Sequence, residues 1–343
     1  MNRSDTMRLV LHGGLAALLL AADASFANDP RPPADAPFAA DAEPQQRLSR
    51  RARRAARRRT AASDHGADAD MQSGRGRPPA IPHEAIVHRN RPYGESSLPC
   101  QCFDIHLPEG CSGEVPLLVW IQGTSWQSGP QEDCPVAWLV QRGYAVASVG
   151  YRLATEATFP AQIDDCLAAL DTLERDAELW GIDRDRVCVA GIGAGGHLAA
   201  LAGLWNRSAT ERPLPRVAAV AAFAAPTHLT TLGPRHDRAT SPASLLVGGP
   251  LPEFREAAQQ ASPLTHVAAG GPPVLLVHGR RDAVVPPDQS IRFDAALKAA
   301  GIDSRLVLLS GADHDLPLDA ASPAGVALVD FLDRTLGTAG REP

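Results

Sequence analysis

Three stretches that follow apolar runs in this 343-residue chain hold residue types suited to chemistry. RVCVA is followed by GIGAGG, which contains Gly193. PVLLV is followed by HGRRD, which contains Asp282, and RLVLL is followed by SGADH, which contains His314. A carboxylate and an imidazole are the side chains most used for general acid–base chemistry. These stretches are therefore the first candidates for a functional site.

The elements that position these stretches are predicted to be strands of a parallel sheet. Short, nearly continuous apolar runs suit strands buried on both faces. These runs are 117–121, 144–149, 186–190, 217–225, 273–277 and 305–309. A half-buried strand is predicted at 103–107, where apolar and polar residues alternate. The predicted helices are 160–180, 195–204, 288–300 and 324–336. This alternation predicts an α/β fold with a doubly wound sheet. Ligands of such sheets gather beyond the carboxyl ends of the strands, and the long segment 226–272 is expected to supply a lid or a substrate wall.

The order and spacing of the strand-end motifs resemble the α/β-hydrolase fold, and most closely the secreted bacterial esterase/lipase group called BD-FAE-like. HGxxDxxVP followed by GxxH carries the resemblance, together with GYAVASVGYRL, FPAQIDDC and ASPLTHV. It extends over about residues 98–338. The resemblance implies a mostly parallel sheet flanked by helices, hydrolysis of a carboxylic ester and no cofactor. The implied ligand is a small ester or an acylated glycan.

The resemblance also implies a role for each candidate site residue. Enzymes of this fold hold a nucleophile on a tight strand-to-helix turn, G-x-S-x-G, and activate it with a histidine that an acid orients. Asp282 matches the acid, and His314 matches the histidine. The oxyanion would be bound by the backbone N–H of Ala194, which follows the nucleophile position, and by that of Gly123 or Thr124.

The nucleophile position departs from the pattern of the group. It reads G-I-G-A-G, with Gly193 where serine is expected, and the chain contains no other G-x-S-x-G. The early loop reads Gln122-Gly123-Thr124, where the group usually has His-Gly-Gly. Since glycine reaches the strained turn conformation freely, we expect an intact turn that lacks the attacking oxygen. The prediction is impaired or lost serine-type activity. The alternatives are hydrolysis by an activated water and a non-catalytic secreted binding protein for an ester or glycan.

Other site residues and site types are weaker candidates. Ser125 lies in the early loop, Cys188 is expected inside the sheet, and His197 is expected to pack on the helix after the turn. GIGAGG also matches the G-x-G-x-x-G of dinucleotide sites, but the acid expected about twenty residues later would be near Glu211, in a loop. No Cys/His spacing resembles a zinc site. Neither a cofactor nor a metal is expected, and Asp315 is interpreted as a solvated neighbour.

Composition divides the chain into three parts. Residues 1–27 have basic residues, an apolar core and then small residues, which is typical of a cleavable signal peptide; a retained anchor is the alternative. Residues 28–80 are rich in Ala, Pro and Arg and are predicted to be a disordered linker. Residues 81–343 are predicted to form the α/β-hydrolase domain. We therefore expect a secreted or periplasmic protein.

Charge and cysteine usage narrow the expected partners. The segment from Arg47 to Arg59 has eight Arg and no acid, which leaves 25 basic against 39 acidic residues elsewhere. An acidic body argues against a nucleic-acid-binding domain. The Arg run is interpreted either as a weak contact for an anionic surface or as a solvated spacer. In an exported protein, Cys111 could form a disulfide with Cys100 or Cys102. The sequence does not define an oligomeric state.

Overall fold

The computed structural model describes residues 85–94, 98–110, 113–128, 131, 133–205 and 215–337. The predicted signal peptide, the linker with its Arg run, Cys111 and Glu211 lie outside these residues. The expectations about them therefore stay predictions.

Eight strands form one mostly parallel sheet in this part of the chain, which confirms the predicted α/β architecture. In chain order they are β1 (Ala85–Pro92), β2 (Cys102–Pro108), β3 (Val115–Ile121), β4 (Ala145–Val149), β5 (Ile182–Ile192), β6 (Ala219–Phe223), β7 (Val274–Gly279) and β8 (Ser304–Leu309). Their order across the sheet is β1-β2-β4-β3-β5-β6-β7-β8. β2 runs antiparallel to β1 and β4, and all other neighbours are parallel. Since β3, β4 and β6 are buried along their whole length, their sequences are continuous apolar runs.

Helices cover both faces of the sheet. They are α1 (Ala161–Arg175), α2 (Ala177–Trp180), α3 (Ala194–Leu204), α4 (Pro242–Val247), α5 (Arg255–Gln260), α6 (Asp288–Ala299) and α7 (Pro323–Thr335). Short 3-10 turns occur at Ala137–Arg142, Leu229–Thr231 and Pro263–His266. Among the described residues, no helix is both long and apolar enough to cross a bilayer.

One predicted helix is divided in the structure, and three elements, β1, α4 and α5, were not predicted. The helix predicted over 160–180 is divided at Asp176, whose backbone (φ −96°, ψ 13°) leaves the helical region. The strand β1 was not predicted, because it lies at the sheet edge and is largely exposed, so its sequence AIVHRNRP shows no buried pattern. A bulge between His88 and Arg91 further interrupts its register with β2.

The sheet brings the strand-end segments together at one edge. β5 lies between β3 and β6, so the loop that follows β3 is adjacent to the turn between β5 and α3. β7 and β8 are parallel neighbours, so the loops with Asp282 and His314 also leave the sheet side by side. The parallel topology therefore explains why residues distant in sequence converge here.

The segment 226–272 packs beside the helix that follows the β5 turn. Its 3-10 turn Pro263–His266 contacts α3, and the carbonyl of Leu246 accepts a hydrogen bond from the Phe159 amide at 2.8 Å. The segment is thus anchored along α3 and against the loop that precedes α1.

Candidate active site

Asp282 lies between two histidines in the loop after β7. Its Oδ2 atom is 2.8 Å from Nδ1 of His314 and 3.1 Å from Nε2 of His278. Its Oδ1 atom accepts hydrogen bonds from the amides of Val284 and Val285, both at 2.8 Å. Both carboxylate oxygens are therefore paired, and the carboxylate orients the His314 ring so that Nε2 points away from it.

His278 is a site residue that the sequence reasoning missed. Its side chain is wholly buried at the end of β7, and its Nδ1 atom is 2.7 Å from Oγ of Ser290. Its Nε2 atom faces two acceptors, Asp282 and the carbonyl of Val285 at 3.0 Å. Nε2 must therefore carry a proton and donate to them. The available signal was the histidine that ends a buried strand four residues before the acid.

Asp282 is held in its ionised form by these contacts. Burial by itself would raise the pKa of Asp282, but hydrogen bonds from His278 and His314 outweigh it and hold the pKa well below its usual range. The amide of Val285 acts in the same direction. A permanent carboxylate beside His314 is what an imidazole that takes up a proton requires.

Gly193 lies on the turn between β5 and α3, with φ 55° and ψ −117°. Its amide donates to the carbonyl of Phe223 at 2.8 Å. A Cβ atom placed on Gly193 would lie 3.3 Å from Nε2 of His314. A side chain at this position would therefore meet the imidazole nitrogen that does not contact Asp282.

The segments predicted to bind an oxyanion lie against each other. Ala194 is the first residue of α3, and the first amides of a helix have no partner within it. A Cβ on Gly123 would lie 1.9 Å from the carbonyl oxygen of Ile192, so only glycine allows this approach. The hydroxyl of Tyr151, also missed from the sequence, donates to the carbonyl of Gln122 at 3.1 Å. The structure thus brings Gly123 and Ala194 to one place.

The loop continues through two residues in the left-handed region. Ser125 (φ 55°) and Trp126 (φ 57°) form a turn closed by a 3.0 Å hydrogen bond from the Gln127 amide to the Thr124 carbonyl. Ser125 is exposed. No hydrogen bond between the Ser125 side chain and another described residue is present, so the structure gives it no partner for activation.

The remaining candidates are packed in the interior. Cys188 is wholly buried in β5, and burial raises the pKa of its thiol. His197 is wholly buried, as expected for a packing residue, and burial lowers its pKa to about 4. Within the described ranges, no group of three or more His, Cys, Asp or Glu side chains is placed to hold a metal ion.

Comparisons with known proteins agree with this architecture. The sequence profile of the BD-FAE family matches residues 103–297, more than half of the chain. Esterase LipC of Mycobacterium tuberculosis is 30 % identical over 74 % of this chain and 67 % of its own length. The probable carboxylic ester hydrolase LipM of the same organism is 28 % identical over 68 % of this chain and 58 % of its own length. The matched part of the chain thus covers between 58 % and 67 % of the length of these relatives.

A solved structure of a truncated carbohydrate esterase from gut microbiota shares the fold. It superposes with a TM-score of 0.70 at 26 % identity, and the match covers 76 % of this chain and 99 % of that one. Both the sequence and the structural similarity are to carboxylic-ester hydrolases. The chain belongs to the BD-FAE family of α/β-hydrolase-fold proteins.

Proposed function

We propose that this chain binds a carboxylic ester but has impaired or lost serine-type hydrolysis, because Gly193 occupies the nucleophile position. The observation that carries the proposal is the distance of 3.3 Å between a Cβ placed on Gly193 and Nε2 of His314. The imidazole and its acid partner are present, and the atom they would activate is missing. The proposal assigns Asp282 as the acid, His314 as the base and Gly193 as the vacant nucleophile position.

The proposed chemistry follows from that arrangement. The ester carbonyl oxygen accepts hydrogen bonds from the amides of Ala194 and of Gly123 or Thr124. Residue 193 has no hydroxyl that could attack the ester carbonyl. No acyl-enzyme bond therefore forms there. Hydrolysis then depends on a water that gives a proton to His314 as its oxygen attacks the ester carbonyl, and the alcohol leaves the resulting tetrahedral intermediate with the proton that His314 returns. Oxyanion binding without a triad leaves only about 10³- to 10⁴-fold over the uncatalysed rate in serine proteases.

The proposed ligand is a small ester or an acylated glycan. The relatives are named as ester hydrolases, and the solved relative is described as a carbohydrate esterase. The signal-peptide pattern of residues 1–27 supports a secreted or periplasmic location. A weak contact of an anionic surface with the segment from Arg47 to Arg59 belongs to the same proposal.

Hydrolysis of p-nitrophenyl butyrate tests the proposal. We expect the wild type to turn over the ester slowly and without a burst, and Gly193→Ser to give a burst of p-nitrophenol that disappears in Gly193→Ser/His314→Ala. Robust wild-type turnover that is lost in His314→Ala would contradict the proposal.

Binding without turnover is tested separately. Diethyl pyrocarbonate modifies accessible imidazoles, and the His314 side chain is 24 % exposed. Peptide mass mapping measures the rate of modification at each histidine. We expect ethyl butyrate to slow the modification of His314 but not that of His88 on β1. An equal rate with and without the ester would contradict ester binding at this site.

A further inference from the structure

A buried chain of hydrogen bonds joins the loop after β3 to the segment beside α3. The indole Nε1 of Trp126 donates to Nδ1 of His197 at 3.3 Å. Nε2 of His197 is 2.6 Å from the carbonyl oxygen of Ala261. Trp126 is 4 % exposed, and His197 and Ala261 are fully buried. All three groups are therefore shielded from water that could replace a lost partner.

The chemistry of the partners fixes the state of the His197 ring. An indole N–H is a donor only, so Nδ1 must accept. The carbonyl of Ala261 is an acceptor only, so Nε2 must carry the proton. His197 is thus neutral in one tautomer, and a second ring proton would place two donors face to face. No other tautomer satisfies both neighbours.

The loop that His197 contacts holds a conformation that needs outside support. Ser125 and Trp126 both have positive φ, and each non-glycine residue in this region costs about 1–2 kcal/mol. Such conformations persist only where the surroundings enforce them. The amide of Ala154 donates to the Trp126 carbonyl at 2.8 Å, which fixes the backbone. His197 supplies the hydrogen bond that fixes the Trp126 side chain.

His197 is also tied to the turn itself. It lies on α3, and its amide donates to the carbonyl of Gly193 at 2.9 Å. His197 therefore connects the backbone of Gly193, the side chain of Trp126 and the carbonyl of Ala261. Thr124 is the first residue of the turn that contains Trp126, and Gly123 directly precedes it.

We propose that His197 is a positioning residue that sets the place of the ester-binding amides of Gly123 and Thr124 through its hydrogen bond to Trp126. It does not touch the ester and takes no part in proton transfer. The inference rests on the proposed function, since it concerns the loop that is to bind the ester carbonyl.

Three substitutions of His197 test its hydrogen bonds to Trp126 and to Ala261 independently. In His197→Asn, Oδ1 occupies the position of Nδ1 and can still accept from Trp126. In His197→Gln, Nε2 occupies the ring position that donates to Ala261, and the acceptor for Trp126 is lost. His197→Phe removes both. His106→Asn is the matched control, because His106 is also buried but neither of its ring nitrogens has a hydrogen-bond partner among the described residues.

The first measurement is the rate at which a fluorophosphonate labels these variants in the Gly193→Ser background. We expect His197→Gln and His197→Phe to lower the limiting labelling rate about 10- to 100-fold, as a small displacement of positioned groups does. His197→Asn and the His106→Asn control should stay within about threefold. Equal limiting rates for His197→Phe and its parent would overturn the inference.

The second measurement needs no labelling. In ¹⁵N-edited spectra of the chain with Gly193 unchanged, we expect the Trp126 indole N–H to exchange with solvent faster in His197→Gln and His197→Phe than in the parent, and to keep its protection in His197→Asn. An unchanged exchange rate in His197→Phe would overturn the inference even if Gly193→Ser is never labelled. Failure of the proposed function has different signatures: turnover or labelling of the chain that retains Gly193, or no protection of His314 by the ester.

Discussion

At the scale of single residues, the proposed loss of serine-type hydrolysis rests on Gly193 and its contacts. Its φ of 55° is reached without strain only by glycine, and its neighbour across the site is the free nitrogen of His314. The glycine at the proposed nucleophile position could be recognised in the sequence from G-I-G-A-G. The contacts of His278 and Tyr151 could not, because they depend on which strands end next to each other.

Stability measurements on two variants of residue 193 test the strain. We expect Gly193→Ala and Gly193→Ser each to lower the free energy of unfolding by about 1–3 kcal/mol, because both place a Cβ at a positive φ. Only Gly193→Ser should gain fluorophosphonate labelling, since the two variants differ by one oxygen atom. Urea unfolding measures the free energy of unfolding. An unchanged value in both variants would show that a Cβ at residue 193 causes no strain.

Asp282→Asn tests the acid in the Gly193→Ser background. An amide keeps an oxygen that can accept from Val284 and Val285, but its NH₂ group faces His314 and favours the wrong tautomer. We expect the labelling rate to fall about 10⁴-fold, as the equivalent change does in serine proteases. The control is Asp315→Asn, which should label at the parent rate. A fall of less than tenfold for Asp282→Asn would argue against its assigned role.

Adjacent strand ends define the site at the scale of elements. The loop after β3 touches the end of β5 so closely that Gly123 has no room for a side chain. The apolar runs predicted six of the eight strands, because strands buried on both faces have a continuous apolar pattern, and the alternation of apolar and polar residues predicted β2. They did not predict β1 or the loop's positive φ values, which depend on contacts with distant segments.

Gly123→Ala tests this close approach. The added methyl would lie 1.9 Å from the Ile192 carbonyl oxygen, so the loop must move. We expect a loss of about 1–3 kcal/mol in stability, the usual range for overpacking, and a loss of labelling in the Gly193→Ser background. The matched control is Gly311→Ala, which would meet no atom within 4 Å and should change stability by less than about 0.5 kcal/mol. Equal effects of the two substitutions would contradict the packing argument.

Buried histidines make the stability of the whole molecule depend on pH. Burial lowers the pKa of His197 to about 4, and it also lowers the pKa of His106. Between pH 6.5 and 4 the unfolded chain therefore binds protons that the folded chain does not, so stability falls as pH falls. For His197 alone the full effect is about 3 kcal/mol.

Chemical unfolding at pH 7.0 and pH 4.5 measures this dependence. We expect the wild type to lose stability between the two values and His197→Asn to lose less, because it has no ring to protonate in the unfolded state. An identical loss in both proteins would show that His197 is not held neutral. This effect was not predicted from the sequence, where the burial of a helix histidine is visible but its partners are not.

The most direct measurement for the whole account is the intact mass of the protein after exposure to a fluorophosphonate. We expect no phosphonyl adduct on the chain with Gly193 and one adduct on Gly193→Ser, located on residue 193. An adduct on the unaltered chain that is abolished by His314→Ala would contradict it, since another side chain would then be the nucleophile.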